Sequence, residues 1–290
     1  MFDLVTIVFR DEIPFLKIQA ESINQYFNSQ DINEIAIIIN DTDDVADLVD
    51  PAWWKQHQSK VKIKCRSQWN YEPKVNGWES QQLLKLFGAA DASSTWSMVL
   101  DAKTWFIKTV EHDKLFTPDN RAKSGLVKGL SEHFATGRKF VEDYFNISMP
   151  WVIGPSGVPF MFHTESAIEL INSIDNFVEF FETNVRYPIF ITEFNLYSGF
   201  IISKYKDIEN LYGNPTYYTA VNISDSEAGE FEEKFAIMSQ QPRIFTASIH
   251  RKAYAKLTQD QQLTWIKFLK DRNIIEDITE TQNLINTYIK

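Results

Sequence analysis

Ser97-Met98-Val99-Leu100 runs straight into Asp101-Ala102-Lys103-Thr104, and Trp105-Phe106-Ile107 follows. A short run of small and apolar residues that stops in charge reads as a buried strand ending at a polar edge. Residues 97–100 are therefore expected to be a strand, with a second strand over 105–107. Just upstream stands Trp78-Glu79-Ser80-Gln81-Gln82-Leu83-Leu84-Lys85-Leu86. Its spacing predicts a helix over 78–90, with Leu83, Leu84 and Phe87 toward the core. Trp78, Gln81, Gln82, Lys85 and Leu86 share another face, and Gly88 is read as marking the end.

The same alternation extends toward the N-terminus. Residues 4–9 are short, β-branched and apolar, as a buried parallel strand is. Phe15, Ile18, Ile23, Tyr26 and Phe27 recur at helical steps over 12–27, and Pro14 suits a first turn. Glu34 to Ile39 is a second strand that ends in Asn40-Asp41-Thr42-Asp43-Asp44. Residues 45–58 suggest a short helix and 61–65 a third strand. Strand, helix, strand, helix, strand predicts a parallel α/β sheet. Downstream, 125–146 reads as largely helical and 160–162 as a strand. Ser166 with Glu169 fits a capping box for a helix to about 174. A helix or turn begins at Glu193, a late strand spans 245–249 before His250, and two helices follow over 258–272 and 277–289. No composition break divides the chain.

Composition narrows the classes. A chain of 290 residues with 44% hydrophobic and 23% charged residues is an ordinary globular one, not a disordered, collagen-like or coiled-coil one. Its 29 Lys+Arg against 39 Asp+Glu give −10, which disfavours a nucleic-acid partner but permits a local basic pocket. One cysteine, Cys65, permits no disulfide framework. The start lacks the features of a signal peptide, and no apolar run approaches the ~20 residues of a membrane span. The expectation is a soluble, cytoplasmic protein of undetermined oligomeric state.

In open parallel sheets, ligands bind beyond the carboxyl ends of strands. That rule selects Phe9-Arg10-Asp11, Asn40-Asp41-Thr42, Asp101-Ala102-Lys103 and the neighbourhood of His163. Gly-rich dinucleotide loops, phosphate-cradling Gly-Lys-Ser/Thr loops, paired-cysteine zinc motifs and His-Glu-x-x-His are missing. Gly154-Pro155-Ser156-Gly157 lacks nucleophile-elbow spacing, so Ser156 reads as a turn residue. A nucleotide held here needs its phosphates neutralised by a metal or by basic side chains.

The helix over 78–90 followed by Met98-Val99-Leu100-Asp101-Ala102-Lys103 resembles the centre of GT-A-type glycosyltransferases. More narrowly, it is similar to a domain-of-unknown-function family of predicted bacterial and phage sugar transferases. Gly157 to Glu165, Thr192-Glu193-Phe194-Asn195-Leu196-Tyr197 and Ile249-His250-Arg251 resemble later elements of that fold, and the likeness covers roughly residues 4–255. It implies an α/β, GT-A-like (Rossmann-like) mixed, mostly parallel sheet flanked by helices. Residues 1–255 would form the transferase domain and 256–290 a C-terminal helical extension packed on it. The implied activity is transfer of a sugar from a nucleotide-diphosphate-sugar to a glycan or other hydroxyl acceptor, by an inverting displacement. Alternatives are a nucleotide-sugar or glycan binding protein without turnover, and a sugar nucleotidyltransferase.

The resemblance also suggests roles. Asp101 and Glu193 would be catalytic, Glu193 as the base that takes the acceptor proton. Lys103, Lys85, Gln82, His250, Arg10 and Asp41 would bind the donor and its diphosphate. His163, Trp78 and Tyr197 would face the acceptor. The fold's Asp-x-Asp motif holds a divalent cation, manganese or magnesium, but its second acid is here Lys103. Either the Lys103 ammonium replaces the cation, or Asp101 and His250 hold one with substrate oxygens. From the residues alone, the alternative for Asp101 is a strand-end cap or turn carboxylate, and Gln81, Gln82 and Lys85 are equally a wet helix face. Eight Trp, 11 Tyr and 22 Phe are a heavy aromatic load. Trp69, Tyr71, Trp78, Trp105, Trp151, Phe160, Phe162, Phe194 and Tyr197 gather near the proposed site in sequence, so several are expected to line one cleft.

Overall fold

The computed structural model describes residues 1–123, 126–128, 132–153, 158–213 and 220–288. In chain order the elements are β1 (Phe2–Val8), α1 (Ile13–Tyr26), β2 (Ile32–Ile39), β3 (Val61–Cys65), α2 (Gly77–Ala90), β4 (Trp96–Asp101) and β5 (Thr104–Phe106). Then come α3 (His112–Leu115), β6 (Leu126–Lys128), α4 (Glu132–Phe145), β7 (Trp151–Ile153), β8 (Phe160–His163), α5 (Thr164–Ser173), α6 (Phe177–Asn184) and α7 (Glu193–Tyr205). The last are β9 (Ala220–Ile223), α8 (Phe231–Gln240), β10 (Thr246–Ile249), α9 (Arg251–Lys256), α10 (Gln259–Asp271) and α11 (Ile278–Tyr288).

The main sheet has the order β3-β2-β1-β4-β8. Its first four strands are parallel, and β8 runs antiparallel to β4. Every residue of β1 is buried, as a strand covered on both faces must be. A smaller sheet, β5-β10-β9, and an antiparallel pair, β6-β7, with α4 between its strands, are the other sheets among the described residues. The architecture is the expected mixed, mostly parallel α/β sheet flanked by helices.

The helix α2 packs on the sheet against β1, β2 and β4. Gly88 does not end it. The residue lies inside α2, where a Cβ would come within 2.5 Å of Ile38 Cδ1 and 2.6 Å of Val5 Cγ1. Glycine there lets the helix sit close to the sheet. The start of α2 is fixed by a capping box between Asn76 and Glu79.

Three local expectations change. Residues 45–58 form two 3₁₀ runs, Asp43–Leu48 and Pro51–Lys60, and the second is broken at Lys55, whose φ of 40° no helix tolerates. Residues 125–146 divide into β6 and α4. The helix α5 opens at Thr164, and Ser166 caps nothing. Its hydroxyl instead meets His163 Nδ1 at 3.0 Å and the Tyr205 hydroxyl at 3.2 Å. The Gly154–Gly157 segment, with Ser156, lies outside the described residues.

A second apolar core joins β5, α8, α10 and α11 to α1. Trp105 is fully buried there, 5.8 Å from the Phe15 ring and 5.5 Å from the Trp265 ring. Among the described residues, no helix is long and apolar enough to cross a membrane.

Candidate functional site

Parallel pairing brings three strand ends to one edge. Val8 aligns with Ile39, Ile39 with Cys65, and Ile7 with Asp101. The segments after β1, β2 and β4 therefore meet, as the carboxyl-end rule requires.

At that edge two lysines and three carboxylates converge. Lys85 Nζ, from α2, lies 3.0 Å from Asp101 Oδ1 and 3.1 Å from Glu193 Oε1 at the start of α7. Lys103 Nζ lies 3.3 Å from Asp101 Oδ2 and 3.3 Å from Glu12 Oε1. Lys85 is 4%, Glu193 2% and Glu12 5% exposed, whereas Asp101 and Lys103 are partly open to solvent. The cluster is thus reached from the Asp101–Lys103 side.

Burial and pairing pull these groups apart in acidity. Burial pushes the Asp101 carboxyl up, but Lys103 and Lys85 more than reverse it and hold it well below the usual carboxylate range. Burial lowers Lys85, while Asp101 and Glu193 raise it further, so its ammonium persists. Lys103 is likewise raised, by Asp101 and Glu12 against burial. Glu193 goes the other way: burial raises it, and Lys85, shared with Asp101, offsets that only in part. Two carboxylates with opposed shifts give one fixed anion and one group suited to accept a proton.

The turn that carries Asp101 and Lys103 is held by Gln19 of α1. Gln19 Nε2 donates to Asp101 O and Thr104 O, each at 2.8 Å, and Oε1 accepts the Thr6 hydroxyl at 2.8 Å. Ser22 Oγ accepts the Phe106 N–H at 3.1 Å, and Trp105 Nε1 donates to Phe15 O at 3.0 Å.

The family model described as a family of unknown function, DUF6492, matches residues 5–281. The chain belongs to this family. No curated protein matches this DUF6492 member in sequence. Among solved structures it resembles the bifunctional glycosyltransferase WbbM, with a TM-score of 0.50, 9% identity, and coverage of 98% of this chain and 51% of WbbM. The chain thus spans about half of that protein. The galactosyltransferase LgtC, solved with donor and acceptor sugar analogues, aligns at a TM-score of 0.47 and 9% identity over 93% of this chain and 96% of LgtC. The glycosyltransferase GlyE of Streptococcus pneumoniae TIGR4 gives 0.44 and 10%, over 99% of this chain and 62% of GlyE. At such identities the likeness is one of fold, and the fold is GT-A.

The other expected residues of this DUF6492 chain divide. Arg10 pairs with Asp44, and its backbone N–H donates to Asp41 Oδ2 at 3.2 Å, so both line the edge after β1 and β2. Gln82 is buried one turn before Lys85; its Nε2 reaches Trp78 O at 3.4 Å and its Oε1 has no hydrogen-bond partner among the described residues. Trp78, 44% exposed, lies in the first turn of α2. His250 caps α9, and burial with the nearby Lys103 charge holds its ring at about 4, so it is neutral at pH 7.

His163 and Tyr197 do not join the site. Because β8 is antiparallel, its carboxyl end pairs with Trp96, at the start of β4. Five residues of strand, roughly 16 Å, separate that point from Asp101. Tyr197 is fully buried and its hydroxyl accepts from the His163 N–H and from Tyr212, each at 3.0 Å. It pins α7 rather than facing an acceptor. The aromatic cleft also needs correction. Trp105 belongs to the second core, Phe160, Phe162, Phe194 and Tyr197 pack on one another, and Tyr71 is buried. Trp78 and the half-buried Trp69 remain; the Trp151 side chain lies outside the described residues.

A divalent cation does not fit this donor set. Each Asp101 oxygen faces an ammonium, and the same Lys103 charge acts on His250. Among the described residues, no group of three or more His, Cys, Asp or Glu is placed to hold a metal ion.

Glu12 and Gln19 join the site only in the folded chain. Glu12 follows the first strand end, where an acid is informative. Gln19 is a polar residue one turn from both Phe15 and Ile23, inside an apolar stripe.

Proposed function

We propose that this chain transfers a sugar from a nucleotide-diphosphate-sugar to a hydroxyl acceptor. The observation that carries the reading is the Lys85 ammonium joining Asp101 and Glu193 at the carboxyl edge of parallel strands. The GT-A fold supports it. In this reading the diphosphate lies at Lys103, the nucleoside runs toward Arg10 and Asp41, and Trp78 offers an exposed ring face to a sugar. The acceptor hydroxyl attacks the anomeric carbon as its proton passes to Glu193. The bond from that carbon to the phosphate oxygen breaks, and the nucleoside diphosphate leaves with the electron pair. A single displacement of this kind inverts the anomeric centre. Glu193 is buried, so the reading requires Lys85 to shift when donor binds and uncover the carboxylate.

The test is a panel of nucleotide-sugars, read by thermal stabilisation and by release of nucleoside diphosphate. One nucleotide family should raise the melting temperature by mass action. Asp101→Ala and Glu193→Gln should each lower turnover by about 10²–10⁴-fold, Glu193→Gln with donor stabilisation retained. Unchanged turnover in both variants would sink the assignment. Donor stabilisation without turnover in any condition would instead mark a binding protein.

A further inference from the structure

Lys103 stands between Glu12 and Asp101 as a cation would, 3.3 Å from one oxygen of each. Lys85 covers the other Asp101 oxygen at 3.0 Å. Magnesium and manganese need several oxygen or imidazole donors with free lone pairs. Here both Asp101 oxygens and one oxygen each of Glu12 and Glu193 already face ammonium groups, which repel a second cation at short range. An ammonium has three N–H donors, and two carboxylates take two of those on Lys103. Lys103 is also a partly exposed member of the cluster, while Lys85, Glu12 and Glu193 are buried.

We propose that Lys103 is a built-in counter-ion, and that the site binds a diphosphate group on it without a divalent cation. The identity of the ligand rests on the sugar-transfer reading. The displacement of the cation rests only on the geometry of Lys103, Asp101 and Glu12. The third N–H of Lys103 meets a phosphoryl oxygen on the open side, and Glu12 and Asp101 keep the ammonium aimed there.

Two measurements on the full chain, stripped of metal, test this. The first is manganese binding alone, followed by the spin-resonance signal of free Mn²⁺. Wild type should leave that signal unchanged. Lys103→Asp adds a carboxylate beside Glu12 and Asp101, and should tighten manganese binding by at least about tenfold. The second is thermal stabilisation by inorganic pyrophosphate. Wild type should be stabilised equally in EDTA and in manganese, and Lys103→Gln should lose the shift in both. Stoichiometric manganese binding by wild type overturns the proposal. So does pyrophosphate stabilisation that disappears in EDTA, or a folded Lys103→Asp protein that gains no manganese affinity. If Lys103→Asp does not fold, the wild-type and Lys103→Gln results decide. Failure of sugar transfer alongside the expected manganese and pyrophosphate results would overturn the function, not this claim.

Discussion

Lys85 neutralises two carboxylates from one buried position, so its removal leaves charge stranded. Breaking a buried ion pair from one side typically costs about 3–5 kcal/mol, because the remaining charge loses its partner and stays dry. Lys85→Met should destabilise the protein by about that much at pH 7, read by urea denaturation. The loss should shrink toward acid. Glu193 already has a raised carboxyl, and without Lys85 it rises further. A group whose folded value is raised contributes stability that is fully present below its unfolded value and fades as pH climbs through the folded one. The variant should therefore approach wild type as pH falls toward the ordinary carboxylate range and the raised Glu193 carboxyl takes a proton. Asp101 has the opposite sign and keeps Lys103, so its contribution fades only in strong acid. A loss that grew toward acid would contradict this account. At the residue scale the sequence shows which charged groups are present, and the fold shows which of them pair. Asp101, Lys85, Lys103 and Glu193 stand out by type and position in the sequence, and they meet.

At the scale of elements, α1 and the turn between β4 and β5 act together. Gln19 satisfies two turn carbonyls and the Thr6 hydroxyl with one side chain, so the turn cannot move without α1. Gln19→Met keeps the volume and removes all three bonds. Each buried polar group left unpaired costs about 1–3 kcal/mol, with partial relief where water enters. The variant should lose about 2–4 kcal/mol in urea denaturation, and nucleotide-sugar turnover should fall with it if the turn carries the diphosphate. Unchanged stability would mean that the turn holds itself. Gln19 was hard to read because helical periodicity counts apolar positions, and a satisfied core amide looks like a flaw in the stripe. The helix α2 teaches the reverse. Its supposed wet face, Gln81, Gln82 and Lys85, is buried, because α5, α6 and α7 pack over it. Amphipathic patterning cannot tell solvent from a buried polar site.

At the scale of the whole molecule, two apolar cores of the described residues share α1. Phe15 and Ile18 face the second core, while Leu16, Ala20 and Ile23 belong to the first. The C-terminal helices are thus structural partners of α1. A chain ended after Leu257 would strip Trp265, Ile266, Phe268 and Leu269 from Phe15 and Trp105. Each such side chain is worth about 1.5–3 kcal/mol of burial, so the loss of four is comparable to the whole stability of a domain. The shortened chain should bind a hydrophobic dye and lose its cooperative melting transition. A cooperative melt near the wild-type temperature would show that the extension is dispensable.

Local sequence determined the strands from β1 to β5 with α1 and α2 between them, and the parallel character of the first four strands. Those features follow from short-range periodicity and from apolar runs bounded by polar residues. The direction of β8 had no local signature. A four-residue apolar strand reads the same in either direction, and only its pairing with β4 set His163 at the far edge, away from Asp101. The aromatic residues also needed the fold. Ring faces suit a sugar or a core equally well, and packing assigned Trp105, Phe160, Phe162, Phe194 and Tyr197 to the cores. Tertiary structure likewise supplied Glu12, 91 residues from Lys103 in the chain, as that lysine's second partner. Charge complementarity over such a separation is invisible until the chain is folded, because Coulomb forces depend on distance in space and not along the sequence.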